Sequence, residues 1–168
     1  MLPSKDFYWK TKTKRKLFES DSLMLNPSRY RILAVGKIRK KWIKEGIDIY
    51  LKRLPGLAIT ELKDSNPKKE AESIRNQLKN NETLITLMEE GESLSSIPFA
   101  KCLNAFGSQR LVFAIGGANG IAPEIKALAS LHLSLSSMTL PHEIARLLLV
   151  EQIYRATTII EGGPYHRN

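Results

Sequence analysis

Three side chains near the C-terminus have the types needed for proton and charge work: His142, Arg155 and His166. An imidazole accepts a proton near neutral pH, and a guanidinium stabilises an oxyanion that develops in a transition state. His142 follows Pro141 at the start of a helical pattern, where the helix dipole keeps an imidazole neutral and able to accept; the plainer alternative is a histidine that caps or packs. Arg146 lies four residues on and shares its face. Glu151 and Arg155, also four apart, occupy the opposite face and could simply pair with each other. The tail, Gly162-Gly-Pro-Tyr-His-Arg-Asn168, adds Tyr165, His166 and Arg167, which could close over a site, contact RNA or fray.

These groups need elements to hold them. The stretch from Leu133 to Arg155 reads as a short strand, a small polar loop closed by Pro141, and a helix that is apolar nearly all round. Such a helix must be covered on more than one side, which suits burial between two subunits and a ligand. A tight strand-to-helix loop is where α/β proteins hold ligands. A second loop, Gly116-Gly-Ala-Asn-Gly120, follows the most apolar strand; its glycines permit positive φ and close backbone approach, for a ligand or merely for a tight turn. The first strand leads into Lys37, Arg39, Lys40, Lys41 and Lys44, a phosphate-contact patch. Trp42 among them either stacks on a base or, the slightly favoured reading, packs into the core.

Several chemistries are excluded. Only Gly36 stands where a dinucleotide fold needs three spaced glycines. No Gly-Lys-Ser/Thr follows the glycine loop, so it is not a P-loop. No Gly-x-Ser-x-Gly elbow is present. His132, His142, His166 and the single Cys102 lack metal-ligand spacing, so no metal is expected. One cysteine precludes an internal disulfide and fits a reducing compartment, the cytoplasm. No apolar run approaches the roughly 20 residues that span a membrane. The chain has 168 residues and a net charge of +9, a balance that favours polyanions such as nucleic acid.

Alternating patterns predict strands at 30–35, 57–62, 83–88, 110–115 and 131–135, with helices between and after them. Residues 89–92 read as an acidic turn. The expectation is one α/β domain with a mainly parallel sheet flanked by helices. It spans 29–168, and residues 1–28 form an extension. Within that extension Lys10 to Lys16 is a basic run without hydrophobic period. It reads as a solvated arm, a phosphate-tracking arm, or a segment absent from a protein translated from Met24.

The runs Ile-Gly-Gly-x-x-Gly, Leu-Ser-x-Met-Thr-Leu-Pro-His, Arg-x-Leu-Leu-x-Glu-Gln-x-Tyr-Arg-Ala and a terminal Pro-Tyr-His-Arg, in this order, resemble the ribosomal RNA large subunit methyltransferase H family of SPOUT-class enzymes. Ala118-Asn119 replaces the Pro-Glu usual there. The resemblance covers roughly Tyr30 to Asn168. It implies a C-terminal trefoil knot, a homodimer, S-adenosylmethionine as cofactor, and methylation of N3 of a pseudouridine in large-subunit rRNA on the assembled ribosome. Carried over by position, the cofactor contacts fall on Leu87, Gly117, Ser136, Ser137, Met138, Thr139, Leu140 and Pro141. Arg155 becomes the first choice for stabilising the anion, with His142 and His166 as proton acceptors. Lys37, Arg39, Lys40, Lys41, Tyr165 and Arg167 become the RNA contacts.

Overall fold

The computed structural model describes residues 24–167. The expectations for residues 1–23 lie outside them. Strand β1 (Tyr30–Val35) follows a 3-10 turn, Pro27–Arg29, capped by Asn26. Then come α1 (Lys41–Leu51), β2 (Ala58–Leu62), α2 (Pro67–Gln77), β3 (Glu82–Ser93), α3 (Ser96–Ala105), β4 (Arg110–Ile115), α4 (Pro123–Lys126), β5 (Leu131–Ser134) and α5 (His142–Ile160). The five strands form one sheet in the order β2-β1-β4-β3-β5, with every pairing parallel. Among the described residues no helix is long and apolar enough to cross a membrane.

Period-two alternation sorts the strand side chains into two cores. Ile32, Ala34, Ile85, Leu87, Leu111, Phe113 and Ile115 pack on one face with residues of α1, α3 and α5. Leu33, Val35, Leu84, Val112 and Ala114 pack on the other with α2 and α4. Strands buried on both faces are the reason β1 and β4 read as continuous apolar runs. Each fully buried side chain of this kind contributes about 1.5–3 kcal/mol.

Leu25 is buried in the first core. One expectation is corrected here. Residues 89–92 are not a turn; β3 continues to Ser93 through an irregularity and pairs again with β5, Glu92 opposite Leu133 and Ser93 opposite Ser134. Gly91 makes this possible, because a Cβ there would lie 2.6 Å from the carbonyl carbon of Leu133. Acidic side chains outside the core do not forbid a strand, and a glycine within one marks a close backbone approach.

The excess apolar surface of α5 is covered largely by its own chain. Leu149, Val150, Ile153 and Ala156 are buried in the first core, while Leu148 remains exposed.

Candidate active site

The loops after β4 and β5, the distal part of β3 and the first turns of α5 enclose a cleft of about 670 Å³, a size suited to a small-molecule ligand. Of the expected cofactor residues, Leu87, Gly117, Ser136, Met138, Thr139, Leu140 and Pro141 line it; Ser137 is exposed and does not. The glycine loop is built for close approach. A Cβ on Gly116 would meet the carbonyl carbon and oxygen of Gly120 at 2.5 Å, and the Gly120 N–H donates to the Gly117 carbonyl at 3.0 Å. The other loop is held by its own serines: Ser134 Oγ donates to the Ser136 carbonyl at 2.8 Å, and the Met138 N–H donates to Ser136 Oγ at 2.9 Å. Glu89 and Glu90 line the cleft as well, on the β3 extension that was read as a turn.

His142 also faces the cleft, at the N-terminal end of α5. The same end of the helix fastens the basic loop between β1 and α1. Arg146 is fully buried; its Nη2 donates to the Gly36 carbonyl at 2.9 Å and its Nη1 to Glu61 Oε1 at 2.8 Å. Glu61 Oε1 accepts the Ile38 N–H too, at 3.2 Å. Glu143 Oε2 accepts the N–H groups of Arg39 and Lys40 at 3.1 and 3.2 Å. The Lys40 amide, joined by the Arg39 amide, holds the Glu143 carboxyl below its ordinary range against the opposing effect of burial. Burial lowers the pKa of Arg146 from the usual arginine value, and the Glu61 carboxylate acts in the opposite direction. Gly36, at φ 87°, lies against His142: a Cβ on it would be 3.0 Å from Nε2.

Removing a partner from a buried ion pair typically costs about 3–5 kcal/mol. Glu61 is 39% exposed, so solvent screens part of its interaction with Arg146. Glu61→Ala is therefore expected to destabilise the fold by about 1–3 kcal/mol, read from denaturant unfolding, and Glu61→Gln by less. An unchanged unfolding midpoint in Glu61→Ala would show that the pair contributes nothing.

The other ionisable groups sit at the far end of α5. Glu151 Oε1 accepts from Arg155 Nη2 at 2.6 Å and Nε at 3.0 Å, so the helix pairing foreseen from their spacing is made. The Arg155 guanidinium lies over the Tyr165 ring, 4.7 Å from its centroid. Tyr165 is held by Glu151 at 3.1 Å and by Tyr50 at 3.2 Å. Arg155 Nη1 lies 3.3 Å from His166 Nδ1. A guanidinium only donates, so that ring nitrogen is the acceptor. The tail thus folds back on α5 and α1. His142 and Arg155 are thirteen positions apart on one helix, about 20 Å of rise. The structure does not bring them together within one chain.

Among the RNA-contact candidates, Lys37, Arg39, Lys40, Lys41 and Arg167 are exposed, whereas Tyr165 is half-buried. Lys41 pairs with Glu45 at 3.6 Å. Trp42 is 57% exposed rather than packed in the core; Ile43 and Ile47 take the buried stripe of α1 instead. His132 bonds Thr86 across the sheet at 2.6 Å and is structural. Sequence reasoning missed Glu61. The signal was available, because Glu61 stands in phase with Leu57 and Ile59, where alternation calls for an apolar residue.

Residues 28–166 match the family described as "Predicted SPOUT methyltransferase". The chain belongs to the SPOUT methyltransferase family. It is 66% identical over 145 residues to the ribosomal RNA large subunit methyltransferase H of Prochlorococcus marinus strain MIT 9211, covering 86% of this chain and all of that protein. The Synechococcus sp. strain CC9605 protein of the same name is 63% identical over 143 residues, covering 85% of this chain and 99% of its own. A probable methylase family protein from Haemophilus influenzae Rd KW20 superposes with a TM-score of 0.54 at 10% identity, over 84% of this chain and 72% of its own, a likeness of fold alone.

A SPOUT methyltransferase draws its methyl group from S-adenosylmethionine, and the cleft fits that cofactor. Leu87 offers an apolar wall, Gly116 and Gly117 let the glycine loop close on Gly120 and Val35 as a wall of main chain, and the loop from Ser136 to Pro141 presents peptide groups to a polar edge. No side chain caps the start of α5, so the positive end of its dipole is left to the cleft.

Proposed function

We propose that this SPOUT methyltransferase methylates large-subunit rRNA in the cytoplasm, at N3 of a pseudouridine presented by the assembled ribosome, and that it works as a homodimer whose C-terminal part is knotted. The rRNA target rests on the name shared by relatives 66% and 63% identical over nearly their whole length. The observation that carries the reading is that α5 lines the cofactor cleft through His142 and holds the basic loop through Glu143 and Arg146. This supports a reading in which the cations of that loop grip phosphate beside the cleft.

S-adenosylmethionine supplies an electrophilic methyl group there, and transfer is an in-line displacement governed mainly by positioning. The protein's part is to fix the base, take its proton and stabilise the anion. N3–H of a pseudouridine lies between two carbonyls, and its loss spreads negative charge over their oxygens. His142, in the cleft, is the nearer proton acceptor. Arg155 supports the anion, but at about 20 Å along α5 it cannot reach its own chain's cleft. A second copy supplying Arg155, with His166 as the less direct acceptor, reconciles the two and is the reason for the homodimer. Mass-mapping of rRNA from a strain lacking the gene tests the target. The expected result is one methyl missing from a pseudouridine, restored by the intact gene. An rRNA that keeps every methyl would move the target to another RNA.

A further inference from the structure

Trp42 is the one aromatic among the exposed large apolar side chains of the described residues. It stands in the first turn of α1, between Lys37, Arg39, Lys40 and Lys41 on one side and Lys44 on the other. Lys41 and Lys44 are paired with Glu45 and Asp48 along the helix. Lys37, Arg39 and Lys40 make no side-chain salt bridge among the described residues, although the Glu143 carboxylate on the Arg39 and Lys40 amides feels the Lys40 charge. An indole more than half exposed beside these three cations costs apolar exposure, and the buried stripe of α1 is made by Ile43 and Ile47 instead.

We infer that Trp42 is a stacking platform for an unpaired base of the RNA substrate, next to the target nucleotide rather than the target itself. This rests on the rRNA reading of the cleft. Base–aromatic stacking needs a free ring face with phosphate-binding cations alongside, and both are present. The platform is also fixed in place. Gly36 touches His142 at the cleft, Arg146 holds the Gly36 carbonyl, and Glu143 holds the amides of Arg39 and Lys40. Trp42 is six positions beyond Gly36, so its Cα lies within about 22 Å of the Gly36 Cα, against the cleft wall, even at full extension. A base held on Trp42 therefore sets the register of the strand that enters the cleft.

The competing occupant is a second copy of the chain, since Ile49, seven residues on and on the same face of α1, is 52% exposed. The charge argues otherwise at the Trp42 end, where a like surface brings cations against cations.

The test measures binding of an rRNA hairpin with an unpaired loop to Trp42→Ala, Trp42→Phe and Lys40→Ala of the full chain, over a range of salt. Trp42→Ala is expected to lose about 5–150-fold in hairpin affinity, Trp42→Phe to keep most of it, and neither to change cofactor affinity. The slope of log K on log salt should stay unchanged in Trp42→Ala but fall by about one in Lys40→Ala. Wild-type affinity in Trp42→Ala overturns the proposal, as does a change in its solution mass by light scattering, which would assign Trp42 to a contact between copies. Wild-type protein that binds unpaired RNA through Trp42 yet leaves rRNA unmethylated keeps the platform and sinks the rRNA reading. Wild-type protein that binds no RNA sinks both.

Discussion

Arg155→Ala is expected to lower methyl transfer to rRNA by about 10²–10³-fold, the usual loss when one donor to a developing oxyanion is removed. Cofactor affinity should stay within about twofold, since Arg155 does not line the cleft of its own chain. A stability cost of about 1–3 kcal/mol is expected beside it, because the side chains of its i, i+4 pair with Glu151 are only 25% and 14% exposed and the guanidinium also stacks on Tyr165; Glu151 keeps Tyr165 and Gln152 as donors. Glu151, through its hydrogen bonds, keeps the guanidinium charged and raises its pKa further, so the cation is in place at any working pH. Single-turnover kinetics together with calorimetry of the cofactor separate the two effects. Equal losses of turnover and cofactor affinity would make Arg155 a structural residue.

Gly116→Ala should act on the opposite quantity. The added methyl would sit 2.5 Å from the Gly120 carbonyl group, and main chain at the neck of a loop has little room to yield. Overpacking of this kind typically costs about 1–3 kcal/mol. Because the loop that must shift forms a wall of the cleft, the cost is expected in cofactor binding, as an affinity loss of about 5–150-fold. Turnover at saturating cofactor should recover much more than it does in Arg155→Ala. Calorimetry that finds wild-type cofactor affinity in Gly116→Ala would remove the glycine loop from the binding site.

The fold was legible where periodicity is strong. β1 and β4 announce themselves as apolar runs because the sheet is covered on both faces, and Asn66 with Pro67 marks the start of α2, where the Asn66 side chain accepts the Lys69 N–H. The extension of β3 was hidden. Met88 to Glu92 breaks the apolar pattern, and the pairing partner that makes it a strand, β5, lies 41 residues further along, Leu133 opposite Glu92. The cleft loops were legible as glycine-rich and small-polar segments, although only the structure places Leu87, Gly117 and the Ser136–Pro141 loop around one space. Arg146 was seen as an ionisable residue on an apolar helix, but its partners could not be. Gly36 and Glu61 are distant in sequence, and one contact is to a backbone carbonyl, which carries no side-chain signature. Trp42 was misjudged because a tryptophan beside an apolar helix stripe is more often inside than outside.

The first turns of α5 join the cleft to the basic loop proposed to hold RNA, and thermodynamics attaches a symmetry to that. His142 borders the cleft while Glu143 and Arg146 grip the basic loop. Whatever factor a bound cofactor contributes to RNA affinity through this turn, bound RNA must contribute equally to cofactor affinity. The same reciprocity ties the products together: the factor by which spent cofactor changes the hold on methylated RNA is the factor by which that RNA changes the hold on spent cofactor.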